Sequence, residues 1–308
     1  MSRTKLPSPR APVLFDRHRH LLRLLKGLGG LATNLDFQKL LFLYCQEPST
    51  KNIYEFVPYK FGAFSFTSYA DRRKLVSYDL LANDEHHWRL TNKGETFVGG
   101  MQDLLVAAFV ARTNALRGDA LVAETYRQFP YYAIKSEIAQ RVLCGDKAAL
   151  RSIRSSRPTG RHPRITTIGY EGRTLESYLN DLTRSGATVL CDVRRNPISR
   201  KYGFSKATLE TGCERMGIRY EHLPELGISS EERQNLKTQQ DYDALFANYE
   251  KNSLSRQEHS LTKIYHWMQA GDRVALTCYE REAHQCHRHC VAEAIERQFG
   301  KEFVAKHL

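Results

Sequence analysis

No run of apolar residues in this chain approaches the roughly 18–20 that a membrane-spanning helix needs, which argues against a helical membrane protein. The basic opening stretch MSRTKLPSPRAPVLFDRHRH lacks the apolar core of a signal peptide, so the expectation is a soluble, cytoplasmic protein. The seven cysteines are odd in number and scattered over 308 residues, which excludes a disulfide framework. None of them forms a C-x-x-C pair, the spacing usual in structural zinc sites. Cys45, Cys144, Cys191 and Cys213 sit in apolar surroundings and are expected in the core. Acidic residues are also in short supply, with 34 against 46 basic ones, a net charge of +12. That balance favours an anionic partner, most simply nucleic acid.

The charge is unevenly spread. Residues 1–160 carry 24 Lys and Arg against 14 Asp and Glu, whereas residues 161–308 carry 22 against 20. The Arg-, Ser- and Pro-rich stretch RSIRSSRPTGRHPR shows no apolar period and reads as a linker over 151–164. Residues 1–12, Pro-rich and charged, read as disordered. That leaves a domain over 13–150 and another over 165–308. The first is mainly helical. HLLRLLKGL and NLDFQKLLFLYCQ carry helical periodicity, the second with Thr33 or Asn34 as N-cap and Phe37, Leu40, Leu41 and Tyr44 on one face. Helices followed by a hairpin around HHWRL suggest a winged-helix-like arrangement. Arg72, Arg73 and Lys74 would then share an exposed turn within reach of phosphates. The aromatic run TYRQFPYYAI would stack on bases or pack between domains.

FQKLLFLY, YKFGAFSFTSYADRRKL and WRLTNKGE together resemble the SocA-like, or Panacea, antitoxin domain. The resemblance implies a module that binds protein or nucleic acid, and it hints at stress response or phage defence.

The second half alternates apolar strands with helices: strands at 165–170, 188–194, 218–223 and 273–280, and helices at 174–186, 206–217, about 241–271 and 289–300. This is the pattern of an α/β fold with an open, mainly parallel, Rossmann-like sheet. Ligands of such sheets lie beyond the carboxyl ends of the strands. Those ends carry Tyr170; Asp192, Arg194, Ser199 and Arg200; His222 and Glu225; and Cys278 and Glu280. Four strands that deliver polar groups to one edge mark it as the candidate site.

TIGYEGRTLESYLNDL, LCDVRRNPISRKYGFS, GIRYEHLPELG and ALTCYEREAHQCHR resemble, in order, the family called domain of unknown function 488, over about residues 164–300. The resemblance carries over to Tyr170, Asp192, Arg194, Ser199, Arg200, His222, Glu225, Cys278, Glu280, Cys286, His287 and Arg288. It implies no particular reaction.

The stretch CYEREAHQCHRHC, residues 278–290, permits three chemistries. Cys278, Cys286, Cys290 and a histidine have the residue types of a zinc site but not its usual spacing. Cys286, read into the first turn of the last helix, is a candidate thiolate, with His287 as base and Cys278 as resolving partner. The third reading is an anion cradle of Arg194, Arg200 and Arg288 at a helix start, in which Asp192 and Glu280 move protons. The third explains most residues. The expected function is therefore binding and processing of a nucleotide or nucleobase, with no cofactor required and a labile metal on Cys278, Cys286 and His287 left open. The alternatives are a DNA-binding regulator that senses a small anion, and a metal or thiol redox switch.

Overall fold

The computed structural model describes residues 14–50, 52–99, 103–158, 163–229, 231–234 and 236–308. Residues 1–12, expected to be disordered, lie outside them. The chain divides into two compact units, one of Met1–Phe56 with Lys60–Ser152 and one of Val57–Tyr59 with Ile153–Leu308. Among the described residues, no helix is long and apolar enough to cross a membrane.

In chain order the first elements are α1 (Asp16–Gly27), β1 (Leu31–Thr33), α2 (Asn34–Tyr44), β2 (Val57–Tyr59), β3 (Gly62–Phe64), α3 (Phe66–Ser77) and β4 (His87–Arg89). Then come α4 (Asn92–Val98), α5 (Leu104–Thr113), α6 (Gly118–Gln128), α7 (Ala139–Val142) and α8 (Lys147–Ser155). Thr33 caps α2 by accepting the Asp36 amide at 3.1 Å. The single apolar face expected of α2 is not what forms. Every residue from Asp36 to Tyr44 is buried, so α2 is surrounded on all sides. Its polar members find partners on the neighbouring elements: Gln38 donates to Ser68 Oγ on α3 at 2.8 Å and the Lys39 ammonium to the Ala63 carbonyl on β3 at 2.9 Å. Trp88 on β4 is fully buried and stacks on Phe37 at 4.4 Å. Phe129 and Tyr132 pack edge-on against Phe42, so the aromatic run around them belongs to this unit's own core. Helix α8 runs to Ser155, into the stretch read as linker, because Ala149 and Ile153 offer apolar side chains one turn apart, both buried.

The second unit continues with β5 (Ile165–Gly169), α9 (Leu175–Arg184), β6 (Val189–Asp192), α10 (Lys206–Arg215) and β7 (Arg219–His222). It ends with α11 (Gln239–Asn252), α12 (Glu258–Gln269), β8 (Val274–Cys278), α13 (Arg288–Phe299) and β9 (Lys306–His307). The five strands form one sheet in the order β7-β6-β8-β5-β9, every pairing parallel. β5, β6 and β8 are buried throughout, as strands covered on both faces must be. The crossovers through α9 and α10 run one way across the sheet and those through α12 and α13 the other. Right-handed connections therefore place the two pairs on opposite faces. β6 and β8 are neighbours whose chains leave in opposite directions, the place where such sheets open a crevice.

Register brings the site residues flush. Gly169 pairs with Cys278, Asp192 with Thr277, and Asp192 with His222.

Candidate functional site

A cavity of about 380 Å³ opens at this edge between the ends of β6 and β8. Its wall includes Cys278, Glu280 and His287, and its rim includes Arg195, Ser199 and Arg200.

Asp192 does not face the cavity as a base. It is fully buried, and its carboxylate accepts the Arg194 guanidinium at 2.8 and 2.5 Å, the Arg194 amide at 3.1 Å and the Tyr220 hydroxyl at 2.6 Å. With its oxygens so occupied, Asp192 anchors Arg194 instead of moving protons. Arg194 in turn gives its other terminal nitrogen to the Tyr170 hydroxyl at 3.1 Å and the Phe204 carbonyl at 2.8 Å. Of the five N–H groups of a guanidinium, four are thus committed. Tyr170 is 4% exposed, stacked on Phe204 at 4.5 Å with Arg194 over its ring at 5.1 Å, so it has no free face for a ligand ring. His222 and Glu225 stand behind the site: His222 Nε2 donates to the Arg194 carbonyl at 2.9 Å, and Glu225 accepts from Ser260.

Arg288 is a second correction. It is wholly buried and donates to the carbonyls of Glu280 at 2.6 Å and Arg281 at 2.9 Å, and to Thr167 Oγ1 at 3.3 Å. It clamps the loop after β8 and offers nothing to a phosphate. Of the three arginines expected to form an anion cradle only Arg200 is exposed, and Arg195, a strand-end arginine not counted in that cradle, is exposed beside it. Both are exposed, and neither has a carboxylate partner among the described residues. Arg195 makes only a long contact to the Pro224 carbonyl, at 3.4 Å.

The loop after β8 lies so close to the end of β5 that a Cβ on Gly169 would meet the Glu280 carbonyl oxygen at 1.8 Å. Gly227 is bound in the same way, its Cβ position 2.1 Å from the Arg195 amide nitrogen. Gly169→Ala is expected to lower the unfolding free energy by about 1–3 kcal/mol, the usual cost of overpacking. An unchanged urea midpoint would show that the loop gives way freely.

The sulfur–imidazole cluster lies at the start of α13. Cys286 is not in that helix, as the sequence suggested, but precedes it in extended conformation, with His287 as N-cap. It is fully buried, and burial pushes its thiol well above the usual range, the opposite of an activated thiolate. His287 Nε2 lies 2.9 Å from the Val193 carbonyl, which only accepts, so Nε2 carries the proton. In the neutral ring Nδ1 is then the unprotonated nitrogen, and it faces Cys278 Sγ at 3.8 Å. Cys290 lies in the first turn of the helix, its sulfur beside His289 rather than in this cluster. Cys45, Cys191 and Cys213 are buried as expected, whereas Cys144 is exposed.

Glu280 lies beside Cys278, Oε2 to Sγ 3.5 Å, and pairs with Arg233. Burial alone would raise the Glu280 carboxyl, but the Arg233 guanidinium, the Cys286 thiol, the Glu280 amide and His287 together outweigh it and hold the group below its ordinary value. Sequence reading missed Arg233, because an arginine in the polar run SEERQ looks like surface.

These groups come from the ends of β5, β6 and β8 and the start of α13, in the order in which the sequence motifs occur. Residues 174–295 match the family model of the domain of unknown function DUF488. Helix α9, strands β6 to β8 and most of α13 thus lie within the DUF488 match, while β5 and Tyr170 precede it. No curated protein and no solved structure matches the chain.

In the first unit, Arg72 is not free for phosphate. Its guanidinium donates to the carbonyls of Asp84 and His87 and lies over Trp88 at 5.1 Å, tying α3 to the strand region. Lys74 lies over Phe15 at 4.7 Å. Arg73 alone is exposed without an ionic or hydrogen-bonded partner among the described residues.

Proposed function

We propose that the α/β unit binds a phosphate-bearing nucleotide, free or within a nucleic acid, and acts on it at the cavity beyond β6 and β8. The observation that carries this reading is the pairing of two arginines with no carboxylate partner among the described residues, Arg195 and Arg200, with a polar reactive wall in one cavity. Guanidinium groups present planar, paired donors that suit phosphate oxygens. Ser199 and Asn196 add neutral polar groups to the same rim. The part of the ligand away from the phosphate would meet Cys278, His287 and Glu280. The basic excess of residues 1–160, with Arg73 exposed on α3, supports a role for the first unit in holding nucleic acid or an acidic partner protein.

The test is calorimetric titration of the full chain with nucleoside mono- and diphosphates and with short single-stranded DNA and RNA. Binding is expected to weaken with added salt. In the Arg195→Ala/Arg200→Ala variant it is expected to fall about 100-fold or more, in line with the loss of two charge-assisted hydrogen bonds of roughly 1.5–3 kcal/mol each. Absence of binding to every probe, or affinity indifferent to both substitutions, would sink the proposal. If the same ligands bind through Arg195 and Arg200 but emerge unaltered, the domain is a sensor of that anion, not an enzyme.

A further inference from the structure

The geometry points to a zinc-class divalent cation held by Cys278 Sγ, Cys286 Sγ and His287 Nδ1, with its remaining coordination position open to the cavity. The sequence left this set open without deciding it, because the ligands come from a strand end and from the residues just before a helix and lack the paired short spacing of zinc sites. In space their three ligand atoms lie within 4.8 Å of one another.

Three observations agree. First, the distances suit such an ion. With Zn–S about 2.3 Å and Zn–N about 2.0–2.1 Å, a tetrahedral S···N edge is about 3.6 Å. The Cys278 Sγ to His287 Nδ1 separation is 3.8 Å, so closure onto an ion requires little movement. Second, His287 is already oriented as a ligand. Its Nε2 proton is fixed on the Val193 carbonyl, the outer contact that metal-bound imidazoles make, and the coordinating nitrogen faces the sulfurs. Third, the charges balance. Two thiolates neutralise a divalent ion, while Glu280 and Arg233 beside them form a neutral pair, so a buried site acquires no net charge.

Two sulfurs and one imidazole nitrogen are a soft donor set that favours zinc over magnesium or calcium. Three protein ligands with an open position mark a site that works on a bound molecule, whereas closed structural sites use four. Cys286 lies behind, away from the cavity, while Cys278 and His287 line it. The open position therefore faces the space assigned to the nucleotide, where the ion would polarise a donor atom of the ligand or a water. That role rests on the nucleotide reading; the metal site itself does not.

The experiment uses the full chain purified with a phosphine reductant and without chelators. Elemental analysis is expected to find about one zinc per chain. After removal of the metal, Co(II) is expected to restore a sulfur-to-cobalt charge-transfer band and the intense visible bands of four-coordinate cobalt. Cys286→Ser should weaken Co(II) binding by about 100-fold or more and diminish the charge-transfer band, whereas Cys144→Ser, at an exposed cysteine, should change neither. If Cys286→Ser fails to fold, Co(II) titration of the wild-type chain still decides the matter. Folded wild-type protein that lacks stoichiometric metal and shows no cobalt–sulfur band would overturn the proposal. So would a Cys278–Cys286 disulfide as the resting state of chain prepared in parallel without reductant. Measuring nucleotide affinity on metal-free and metal-loaded chains separates the two readings. Arg195- and Arg200-dependent binding in a chain that takes no metal defeats only the metal site, and a stoichiometric metal in a chain that binds no nucleotide defeats only the nucleotide.

Discussion

Asp192→Asn is expected to cost the α/β unit about 3–5 kcal/mol of stability, the penalty for stranding one member of a buried ion pair. Asp192 is fully buried and Arg194 is 5% exposed, so neither can turn to water when the other is lost. The asparagine keeps the shape and some hydrogen bonds, but it removes the charge that compensates the guanidinium. Tyr220 loses a charged acceptor in the same step. Urea unfolding followed by near-ultraviolet circular dichroism measures the loss. Replacing both partners together, as in Asp192→Leu/Arg194→Met, is expected to cost much less than the single change, because no uncompensated charge remains. A stable Asp192→Asn protein that binds nucleotide normally but has lost turnover would restore Asp192 as a proton carrier.

Lys39→Met is expected to stabilise the first unit by about 2–4 kcal/mol at neutral pH. Burial lowers the Lys39 ammonium to about 7 from an ordinary 10.5. Among the described residues its one hydrogen-bond partner is the Ala63 carbonyl. The folded state thus binds fewer protons than the unfolded state between pH 7 and 10.5, and the contribution of this residue rises with pH across that window. As pH falls from 10.5 towards 7 that contribution is lost, and below 7 the full cost of a buried charge or its neutralisation is present. One pKa unit corresponds to about 1.4 kcal/mol, and the lost bond to the Ala63 carbonyl offsets part of the gain. The wild-type urea midpoint should therefore move upward from pH 7 to 9.5 relative to the variant. Parallel profiles for the two proteins would show that Lys39 reaches water in the folded state.

The α/β unit was legible because its inner strands are continuous apolar runs and its crossover helices are amphipathic. β9 was not, since Lys306 and His307 carry no strand pattern and only pairing with Thr166 and Thr167 defines them. α2 misled for the converse reason: periodicity implies one buried face, and packing from every side overrode it. At the site, the sequence supplied residue types but not depth. Asp192 and Arg194 were visible as charged groups at a strand end, yet nothing in D-V-R says that the two close on each other and leave the adjacent Arg195 to face outward. The same holds for Arg288, whose charge suggested a ligand and whose burial makes it a clamp. Cys278, Cys286 and His287 were legible as a group, and only the tautomer of His287 distinguishes what the group can hold.

β8 lies at the centre of the sheet although it is the fourth of the sheet's five strands in chain order. Ile165 must find Val274, and Val189 the same residue from the other side, across a long stretch of intervening chain. Loop closure over such distances makes assembly slow. Until β8 inserts, β5 and β6 expose unpaired edges to other chains. Cys278 ends that late strand, and Cys286 and His287 follow it directly, so the cluster is assembled by the step that completes the sheet. A chain stalled before this step carries sticky strand edges and no working site, and its yield should depend on how well those edges are shielded during folding.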